Sequence, residues 1–441
     1  MKRAKRKDIP DTILDINKLS HDGRGIAALN GKTTFVHGAL AGEKALCKIT
    51  YQHRRYNEAK VIEVVSAASE RSVPKCAHFG VCGGCSLQHM AIDKQILFKQ
   101  DTLLEQLLHF GNVKPEALLP PISGNPWGYR GKARLGVRFV IKKNKVLVGF
   151  REKFSNYLAD IDHCPVLHES IAQHLAALSK LIESLVEFTQ IPQIEVAVGS
   201  QATALVFRHM KPLPTEDLQK LCEFGRTHGL HVYLQPNPPE VVHKIWPEDN
   251  QQKLTYLLSD FKLELHFHPL DFTQVNSEIN PLMIKQALHL LEPTKEDRIL
   301  DLFCGIGNFT LPISLYANKV IGIEGSDIMV KNAEANAKHN AIDNAEFYAA
   351  NLMKPNEADP WMNQQYDKIL LDPPRTGAKE IIAYFTKFSA KKVVYVSCNP
   401  ATLARDAGEL VHQHGYHLKK TGIINMFPHT SHIEAIALFE K

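Results

Sequence analysis

The stretch Arg298-Ile-Leu-Asp-Leu-Phe303, followed at once by Cys304-Gly-Ile-Gly-Asn-Phe309, decides the fold of the C-terminal half of this chain. The first part is an apolar run typical of a buried strand, and the second is a glycine turn that leads into a helix. Such a turn lets the backbone approach a nucleotide closely. Because the third glycine of the dinucleotide fingerprint is missing, the turn argues against NAD and against a pyrophosphate at the helix N-terminus.

Further strand–helix units follow this turn. Lys319-Val-Ile-Gly-Ile323 ends in Glu324, an acid that can accept hydrogen bonds from both hydroxyls of a ribose. The next unit ends near Asn351, and the strand Lys368-Ile-Leu-Leu371 leads into Asp372-Pro-Pro-Arg375. Ligand-type residues at successive strand ends predict an α/β, Rossmann-like class I methyltransferase domain that uses S-adenosylmethionine.

A cysteine follows the fifth strand, in Ser397-Cys-Asn-Pro400. The carboxyl ends of parallel strands face the ligand cleft, so Cys398 is a candidate nucleophile; the alternative is a buried cysteine that packs as a small hydrophobe. A pyrimidine C5 takes a methyl group once a thiolate has added to C6 and a base can remove the C5 proton. Glu434 is the candidate base, and its alternative is a solvent-facing strand acid.

Charge is distributed unevenly over the 441 residues, whose net charge is +5. Residues 1–60 contain 13 Lys and Arg against 6 Asp and Glu, and residues 130–153 contain nine basic residues against one acid. Two basic regions on a neutral body favour a polyanionic partner, nucleic acid before membrane, and the alternative is a solvated surface. There is no membrane-length apolar run, and no apolar segment follows the basic residues 1–7 to form a signal peptide. We therefore expect a cytoplasmic protein.

Residues 12–65 show short strands separated by turns, including the hairpin signal Asn30-Gly31, with strands expected over 13–16, 21–27, 33–37, 44–51 and 58–65. Short strands of this kind form an oligonucleotide-binding barrel, which holds nucleic acid by charge and stacking. One strand end offers both in Tyr51, His53, Arg54, Arg55 and Tyr56. The segment resembles a TRAM domain, an RNA-binding module.

Three cysteines lie within ten residues, at Cys76, Cys82 and Cys85, and Cys164 lies far downstream. In a reducing compartment this grouping indicates a metal site rather than a disulfide scaffold. Zinc and an iron–sulfur cluster both suit four thiolates, and the absence of a second C-x-x-C knuckle favours [4Fe-4S]. Cys47 and Cys222 stand alone in apolar surroundings and are expected to pack in the core.

Between these regions, residues 91–109 have the pattern of an amphipathic helix, which we expect to dock on the C-terminal domain. Arg130, Lys132 and Arg134 occupy alternate positions, so a strand would present them on one face. That face is expected either to meet phosphates or to protect an edge strand from aggregation. Downstream, Asn280 is the predicted N-cap of a helix.

Five strings together resemble the RNA uracil-C5 methyltransferases, above all those that act on 23S ribosomal RNA, over essentially the whole chain: Phe272-Thr-Gln-Val-Asn276, Asp301-Leu-Phe-Cys-Gly-Ile-Gly-Asn-Phe-Thr310, Asp372-Pro-Pro-Arg375, Ser397-Cys-Asn-Pro-Ala-Thr-Leu-Ala-Arg-Asp406 and Met426-Phe-Pro-His-Thr-Ser-His-Ile-Glu434. The resemblance implies Cys398 as nucleophile and Glu434 as base. It implies the following S-adenosylmethionine contacts and [4Fe-4S] ligands: Gln274, Phe303, Asn308, Glu324, Asn351 and Asp372, and Cys76, Cys82, Cys85 and Cys164.

The expected partner is 23S ribosomal RNA, because the tRNA-modifying relatives lack the TRAM segment and the four cysteines. A tRNA substrate, or an RNA-folding role with secondary methylation, is the alternative. We expect a monomer without a protein partner. Three domains are predicted: a TRAM-like OB barrel over 1–66, a central α+β iron–sulfur domain over 67–92 and 125–264, and the methyltransferase domain over 93–124 and 265–441.

Overall fold

A computed structural model describes residues 10–236, 242–249 and 251–441, so the basic residues 1–7 lie outside the described part of the chain. The chain divides into two units, which are described separately below. The first contains residues 10–99, 152–155 and 427–432, and the second contains the other described residues. Among the described residues, no helix combines the length and apolarity that a membrane span requires.

The first unit begins with a six-stranded sheet in the spatial order β1-β5-β6-β4-β3-β2. Its strands are β1 (Thr12–Asp15), β2 (Lys18–Leu19), β3 (Gly25–Leu29), β4 (Lys32–His37), β5 (Lys44–Gln52) and β6 (Tyr56–Ser66). Alternate side chains, among them Leu14, Val36, Cys47 and Ala59, form the core of this sheet.

The predicted succession of short strands is present, with one difference. Residues 21–27 were expected to form one strand, but Gly23 adopts φ +80° in a turn, and its N–H donates to the Ser20 carbonyl at 2.8 Å. Strand β3 therefore begins only at Gly25, and the two-residue strand β2 pairs with it. A strand this short carries no alternation that a sequence pattern can reveal.

Helix α1 (Ile92–Gly111) begins in the first unit and ends in the second. In the first unit the buried Gln95 amide holds the 427–432 segment, because its Oε1 accepts the His429 N–H at 2.8 Å. Its Nε2 donates to the Leu87 carbonyl at 3.0 Å. His429 adopts φ +64°, a left-handed conformation that persists where surrounding contacts hold it.

The second unit contains a six-stranded sheet of order β13-β12-β11-β10-β8-β9. The elements of this part of the chain, including β7, which joins a different sheet, are β7 (Ala117–Leu118), β8 (Lys132–Val140), β9 (Lys145–Gly149), α2 (Glu169–Ala172), α3 (Leu175–Glu183), β10 (Gln193–Val198), β11 (Thr203–Arg208), α4 (Thr215–His228), β12 (Leu230–Gln235) and β13 (His243–Trp246).

Strand β8 carries Lys132 and Arg134, and Arg130 precedes it. Residues 132–136 of β8 pair with β10 and residues 136–140 pair with β9, so the two cations lie in the half of the strand that β9 does not reach. The interpretation of these charges as edge protection therefore stays a prediction. Arg134 is exposed but pairs through Nε with Glu195 Oε1 at 2.7 Å. The Lys132 ammonium donates to the Asp271 carbonyl, and burial lowers the pKa of Lys132 to about 8. These two cations are thus already engaged within the protein.

The remaining strands form the hairpin β14-β15 and, together with β7, an eight-stranded sheet of order β18-β17-β16-β19-β20-β22-β21-β7, and helices connect them. They are β14 (Leu254–Leu258), β15 (Leu263–Phe267), α5 (Ile279–Leu291), β16 (Arg298–Leu302), α6 (Thr310–Ser314), β17 (Lys319–Glu324), α7 (Asp327–His339), β18 (Ala345–Ala349), β19 (Lys368–Leu371), α8 (Lys379–Ile382), α9 (Phe385–Phe388), β20 (Lys392–Ser397), α10 (Pro400–His412), β21 (His417–Ile424) and β22 (Glu434–Glu440).

Five strands of this sheet, β16 to β20, run parallel, and β22 is antiparallel to β20. The chain proceeds from β16 outward to β18 and then returns to β19 on the other side. Ligands of doubly wound sheets bind at such a reversal, outside the carboxyl ends of the strands. The predicted Rossmann-like α/β fold is therefore confirmed.

The cysteines expected to pack in the core differ in burial. Cys47 of β5 and Cys304 are buried, and burial raises the pKa of the Cys47 thiol to about 11. Cys222 of α4 is only partly buried, and its thiol lies 3.6 Å from the Ile245 carbonyl. The expectation for Cys222 is wrong, because its helix face is only partly covered.

The last turn of α1 packs on α10, which confirms the predicted docking of this helix. Two glycines meet at the crossing. A Cβ at Gly111 would lie 2.2 Å from the Ala404 carbonyl oxygen, and a Cβ at Gly408 would lie 2.8 Å from the Gly111 carbonyl oxygen. The close approach of the two helices thus requires residues without a side chain.

We predict that Gly111→Ala destabilises the protein by about 1–3 kcal/mol, because the added methyl overlaps backbone that cannot move aside independently. Denaturant unfolding measures the free energy of unfolding. Gly325→Ala is the control, since a Cβ there meets no atom within 4 Å. Equal stability of the Gly111→Ala and Gly325→Ala proteins would contradict the tight crossing.

Candidate active site

A cavity of about 750 Å³ lies at the carboxyl ends of the parallel strands of the second unit. Its volume is within the range of small-molecule sites. Eight residues singled out in the sequence all line it: Gln274, Phe303, Asn308, Glu324, Asn351, Asp372, Cys398 and Glu434. The structure therefore brings together residues that are spread over 160 positions of the sequence, from 274 to 434.

The turn after β16 shapes one wall of the cavity. Phe303 has φ +67°, which is unusual for a bulky residue and turns the chain out of the sheet. The following Gly305 N–H donates to Glu324 Oε2 at 3.1 Å. The other carboxylate oxygen of Glu324 accepts the N–H groups of Gly325 and Ser326 at 2.8 and 3.2 Å. Three backbone donors thus fix this carboxylate at the cavity wall.

Asn308 is held by a reciprocal amide pair with Asn280. Its Oδ1 accepts from Asn280 Nδ2 at 2.9 Å, and its Nδ2 donates to Asn280 Oδ1 at 3.0 Å. The Tyr256 hydroxyl donates to the same Asn308 Oδ1 at 2.7 Å. Asn280 lies inside α5, so its predicted role as N-cap is wrong. Asn276 caps the helix instead, because its Oδ1 accepts the Ile279 N–H at 3.2 Å.

Asp301, near the cavity, is fully buried, and Asp372, at the cavity wall, is partly buried. The Thr310 hydroxyl donates to Asp301 Oδ2 at 2.5 Å. Burial, together with the carboxylates of Asp372 and Glu324, raises the pKa of Asp301 to about 7, although the hydrogen bond from Thr310 lowers it. Burial alone raises the pKa of Asp372 to about 7. A positively charged ligand in the cavity would favour the ionised forms of both acids.

The loop that carries Cys398 is tied to the neighbouring strand end. Asn399 is the N-cap of α10, with its Oδ1 accepting the Ala401 N–H at 3.1 Å. Its Nδ2 donates to the Arg375 carbonyl at 2.9 Å, and the Thr402 hydroxyl donates to the same carbonyl at 3.3 Å. The thiol and the Asp372-Pro-Pro-Arg375 loop are therefore fixed relative to each other.

Glu434, the first residue of the antiparallel strand β22, lines the same cavity as Cys398. The register pairs Ser397 with Ala435, so the next residues outward are Cys398 and Glu434. Glu434 is buried, with 7% of its surface exposed. Burial and the carboxylates of Glu434 and Asp372 together raise the pKa of the Cys398 thiol to about 11, and Arg375 opposes them. The cavity thus contains a protonated thiol beside a buried carboxyl group.

Sequence patterns did not indicate Tyr256, Asn280 as a partner of Asn308, or Met329 of α7 as a cavity residue. Tyr256 comes from a hairpin that lies outside the strand–helix repeat, so no motif connects it to the site. The other two act through tertiary contacts. A single sequence carries no signal for such pairings.

The three clustered cysteines lie in the first unit and are partly buried. The loop that holds them is closed by the 152–155 segment, because Cys82 and Glu152 form a β-bridge and the Lys153 N–H donates to the Val81 carbonyl at 2.8 Å. The Gly84 N–H points at Cys82 Sγ, at 3.4 Å. Cys164, the fourth predicted ligand, belongs to the second unit.

A row of aromatic rings lies on the sheet of the first unit. The ring centroids of Tyr51 and His53 are 6.4 Å apart, those of His53 and Tyr56 are 4.8 Å apart, and both pairs are stacked. Arg54 and Arg55 are exposed between them. Stacked rings with adjacent guanidinium groups are the combination that single-stranded nucleic acid binds.

Comparisons with known proteins agree with this geometry. Residues 205–441 match the family described as tRNA (Uracil-5-)-methyltransferase. Residues 14–62 match the TRAM domain, which confirms that domain at the predicted place. A structure of the Pyrococcus abyssi tRNA (uracil-54, C5)-methyltransferase with S-adenosyl-L-homocysteine has a TM-score of 0.74 at 23% identity and covers 97% of this chain and 100% of its own. That likeness establishes the fold.

Bacterial relatives are more similar in sequence. The 23S rRNA (uracil(1939)-C(5))-methyltransferase RlmD of Hahella chejuensis is 52% identical over 443 residues, or 99% of each chain. The protein of the same name from Methylococcus capsulatus is 47% identical over 100% of this chain and 99% of its own. The one from Francisella tularensis subsp. novicida is 49% identical over 97% and 96%.

We predict that Glu434→Gln lowers the pKa of Cys398 below about 11, because removal of a neighbouring negative charge favours the thiolate. The rate of Cys398 alkylation by iodoacetamide, followed by mass spectrometry of its peptide, should then rise at lower pH than in the unmodified protein. Glu440→Gln, at the far end of β22, is the control and should leave the profile unchanged. An unchanged profile for Glu434→Gln would show that the two groups do not interact.

Proposed function

Because this chain belongs to the tRNA (Uracil-5-)-methyltransferase family, we propose that it transfers a methyl group from S-adenosylmethionine to C5 of a uridine in 23S ribosomal RNA. The observation that carries the proposal is the shared cavity of the Cys398 thiol, the Glu434 carboxyl group and the six predicted cofactor contacts. The names of the relatives supply the position, so the proposed target is the uridine equivalent to 1939.

The cavity fits the proposed cofactor in charge and in hydrogen bonding. Glu324 is held by backbone donors with its carboxylate at the wall, where it can accept hydrogen bonds from ribose hydroxyls. Asp301 and Asp372, whose pKa values are raised to about 7, favour a cationic ligand over a neutral one. We assign Gln274, Phe303, Asn308 and Asn351 to the remaining contacts. When bound, S-adenosylmethionine supplies an electrophilic methyl group on a sulfonium.

Cys398 acts as the nucleophile in this proposal. Its pKa of about 11 keeps it protonated at neutral pH, so the thiol must lose its proton before it attacks, and Arg375 is the charge that favours the thiolate. The thiolate adds to C6 of the uracil ring, which places enolate-like electron density on C5. C5 would then form its bond to the methyl carbon while the bond from that carbon to the sulfonium sulfur breaks, and the sulfur would leave as a neutral thioether.

Glu434 completes the reaction as the base. After methyl transfer C5 carries both a methyl group and its original hydrogen, and the Glu434 carboxylate removes that proton. The electron pair of the C5–H bond re-forms the C5–C6 double bond, and the C6–S bond breaks to return the thiolate. The position of Glu434 beside Cys398 in the β20–β22 register suits a group that acts on the neighbouring ring atom.

The RNA is proposed to bind partly through the TRAM domain. Its stacked row of Tyr51, His53 and Tyr56 offers faces for unpaired bases, and Arg54 and Arg55 offer charge for phosphates. The target uridine must leave its stack, because attack at C6 needs access to the ring face.

We propose that the protein acts in the cytoplasm, where ribosomal RNA is made, and as a monomer.

We predict that 23S RNA containing 5-fluorouridine forms a covalent adduct with the protein, since fluorine at C5 cannot leave as a proton does. The adduct is measured as an RNA-shifted band in a denaturing gel. Cys398→Ala should abolish it, whereas Cys222→Ala, another partly buried cysteine, should not. An undiminished adduct with Cys398→Ala would disprove the role of Cys398.

The RNA substrate is tested separately from the chemistry. Ribosomal RNA and tRNA from a strain lacking the gene are each incubated with the protein and methyl-labelled S-adenosylmethionine. Label is expected in 23S RNA. Label in tRNA alone would support the proposed methylation reaction but would contradict 23S RNA as the substrate.

We further propose that Cys76, Cys82, Cys85 and Cys164 ligate a [4Fe-4S] cluster in the central domain, residues 67–92 and 125–264. The three-domain division, with the TRAM-like barrel over 1–66 and the methyltransferase domain over 93–124 and 265–441, belongs to the same proposal. The Gly84 N–H directed at Cys82 Sγ supports a thiolate, because a backbone donor stabilises negative charge on sulfur. Such a cluster supplies four thiolate–iron bonds that cross-link the loop, and the methylation steps above need no electron transfer.

We predict that the protein purified without oxygen is brown and contains about four irons per chain. Cys85→Ser should lose most of this iron, while Cys47→Ser, in the TRAM core, should retain it. Iron and absorbance at the charge-transfer bands are the measurements. A colourless protein that contains zinc would contradict the cluster and leave the methylation proposal intact.

A further inference from the structure

Three potential metal ligands meet on the far side of the β14–β15 hairpin from the reaction described above. They are Glu264 and His266 of β15 and His339, the last residue of α7, and one ligand atom from each lies within 4.8 Å of the others. Glu264 Oε1 is 2.9 Å from His266 Nε2 and 3.7 Å from His339 Nε2. The carboxylate thus lies between two imidazole nitrogens.

We propose that Glu264, His266 and His339 bind a divalent transition-metal ion of the Zn²⁺ type. Imidazole nitrogen suits Zn²⁺, Cu²⁺ and Ni²⁺ better than it suits Mg²⁺ or Ca²⁺, and one carboxylate balances part of the charge. Three protein ligands leave a coordination position for water. The side chains are 35%, 30% and 45% exposed, so an ion can reach them from solvent.

The backbone around these ligands is fixed by two asparagines of α7 and its C-terminal end. Asn340 Oδ1 accepts the Glu264 N–H at 2.9 Å, and Asn340 Nδ2 donates to the Glu264 carbonyl at 2.8 Å. Asn336 makes the same pair with His266, at 2.8 and 3.1 Å. The ligands from β15 are therefore held against α7 before any ion binds, which reduces the entropy lost on coordination.

A second pair of adjacent histidine rings, His174 and His228, shows how a metal site differs from simple ring packing. The rings of His266 and His339 are 4.4 Å apart, and those of His174 and His228 are 4.5 Å apart, at similar angles. The ring of Phe224, rather than a carboxylate, adjoins the latter pair. Of the two pairs, it is His266 and His339 that share a carboxylate oxygen, which belongs to Glu264. Among the described residues, these three form the group that could hold a metal ion.

A bound ion would join two walls of the cavity. Helix α7 supplies Ile328 and Met329 to the lining, and β14 supplies Tyr256, which bonds to Asn308. Coordination would tie the end of α7 to the hairpin that carries Tyr256. Because binding to the folded state alone stabilises it, the ion should raise the unfolding temperature. This inference does not depend on the proposed methylation.

The test is calorimetric titration of the full-length protein, as purified, with Ni²⁺. We expect one tight site that His266→Ala/His339→Ala weakens by roughly 10–100-fold or more, since loss of a ligand costs at least as much as loss of its supporting partner. Glu264→Gln, which keeps the side-chain volume, should weaken it as well. His174→Ala/His228→Ala should bind as the unmodified protein does.

Two outcomes would overturn the proposal. One is unchanged Ni²⁺ binding in both the His266→Ala/His339→Ala and Glu264→Gln proteins. The other is a Co²⁺ complex whose spectrum shows thiolate charge-transfer bands, which would place the ion on cysteines. Unfolding temperatures without metal identify any variant that fails to fold, and Glu264→Gln then carries the test alone.

Discussion

The antiparallel pairing of β22 with β20 is the constraint on which the site depends. It brings a strand from the end of the chain beside the last parallel strand and sets the register in which Ser397 faces Ala435. Side chains alternate between the faces of a sheet, so a slip of one residue would move Glu434 to the opposite face from the cavity. The placement of the thiol beside the carboxyl group therefore depends on backbone pairing as much as on the identities of Cys398 and Glu434.

The electrostatics of the cavity follow from burial rather than from ion pairs. Asp301 and Asp372 have no cation among the groups that set their pKa values, and burial raises both toward about 7. The same burial raises the pKa of Cys398 to about 11. Near neutral pH without a ligand the thiol is protonated, whereas the two acids lie close to their pKa. A cationic ligand would shift all three toward ionisation, which couples ligand binding to the charge of the cavity.

The sequence was most informative where a ligand-type or reactive side chain lies at the end of a strand. Glu324, Asp372 and Cys398 each follow an apolar run, so their convergence could be predicted from topology alone. Prediction failed where a residue's partner comes from elsewhere in the fold. Asn280 has the chemistry of a cap, yet it pairs with Asn308, and the alternating basic pattern gave no sign that Lys132 donates to the Asp271 carbonyl. Such outcomes depend on tertiary packing, which local patterns do not encode.

The β14–β15 hairpin has one further property. Both of its outer edges are occupied: Asn336 and Asn340 satisfy the backbone of β15, while Ser200 accepts the Leu257 N–H at 2.9 Å and donates its own N–H to the Thr255 carbonyl at 2.7 Å. An open edge would be a template on which a strand of another chain could add. Two side-chain amides and the backbone N–H and hydroxyl of Ser200 thus occupy the backbone positions at which a strand of another chain could add to this two-stranded element.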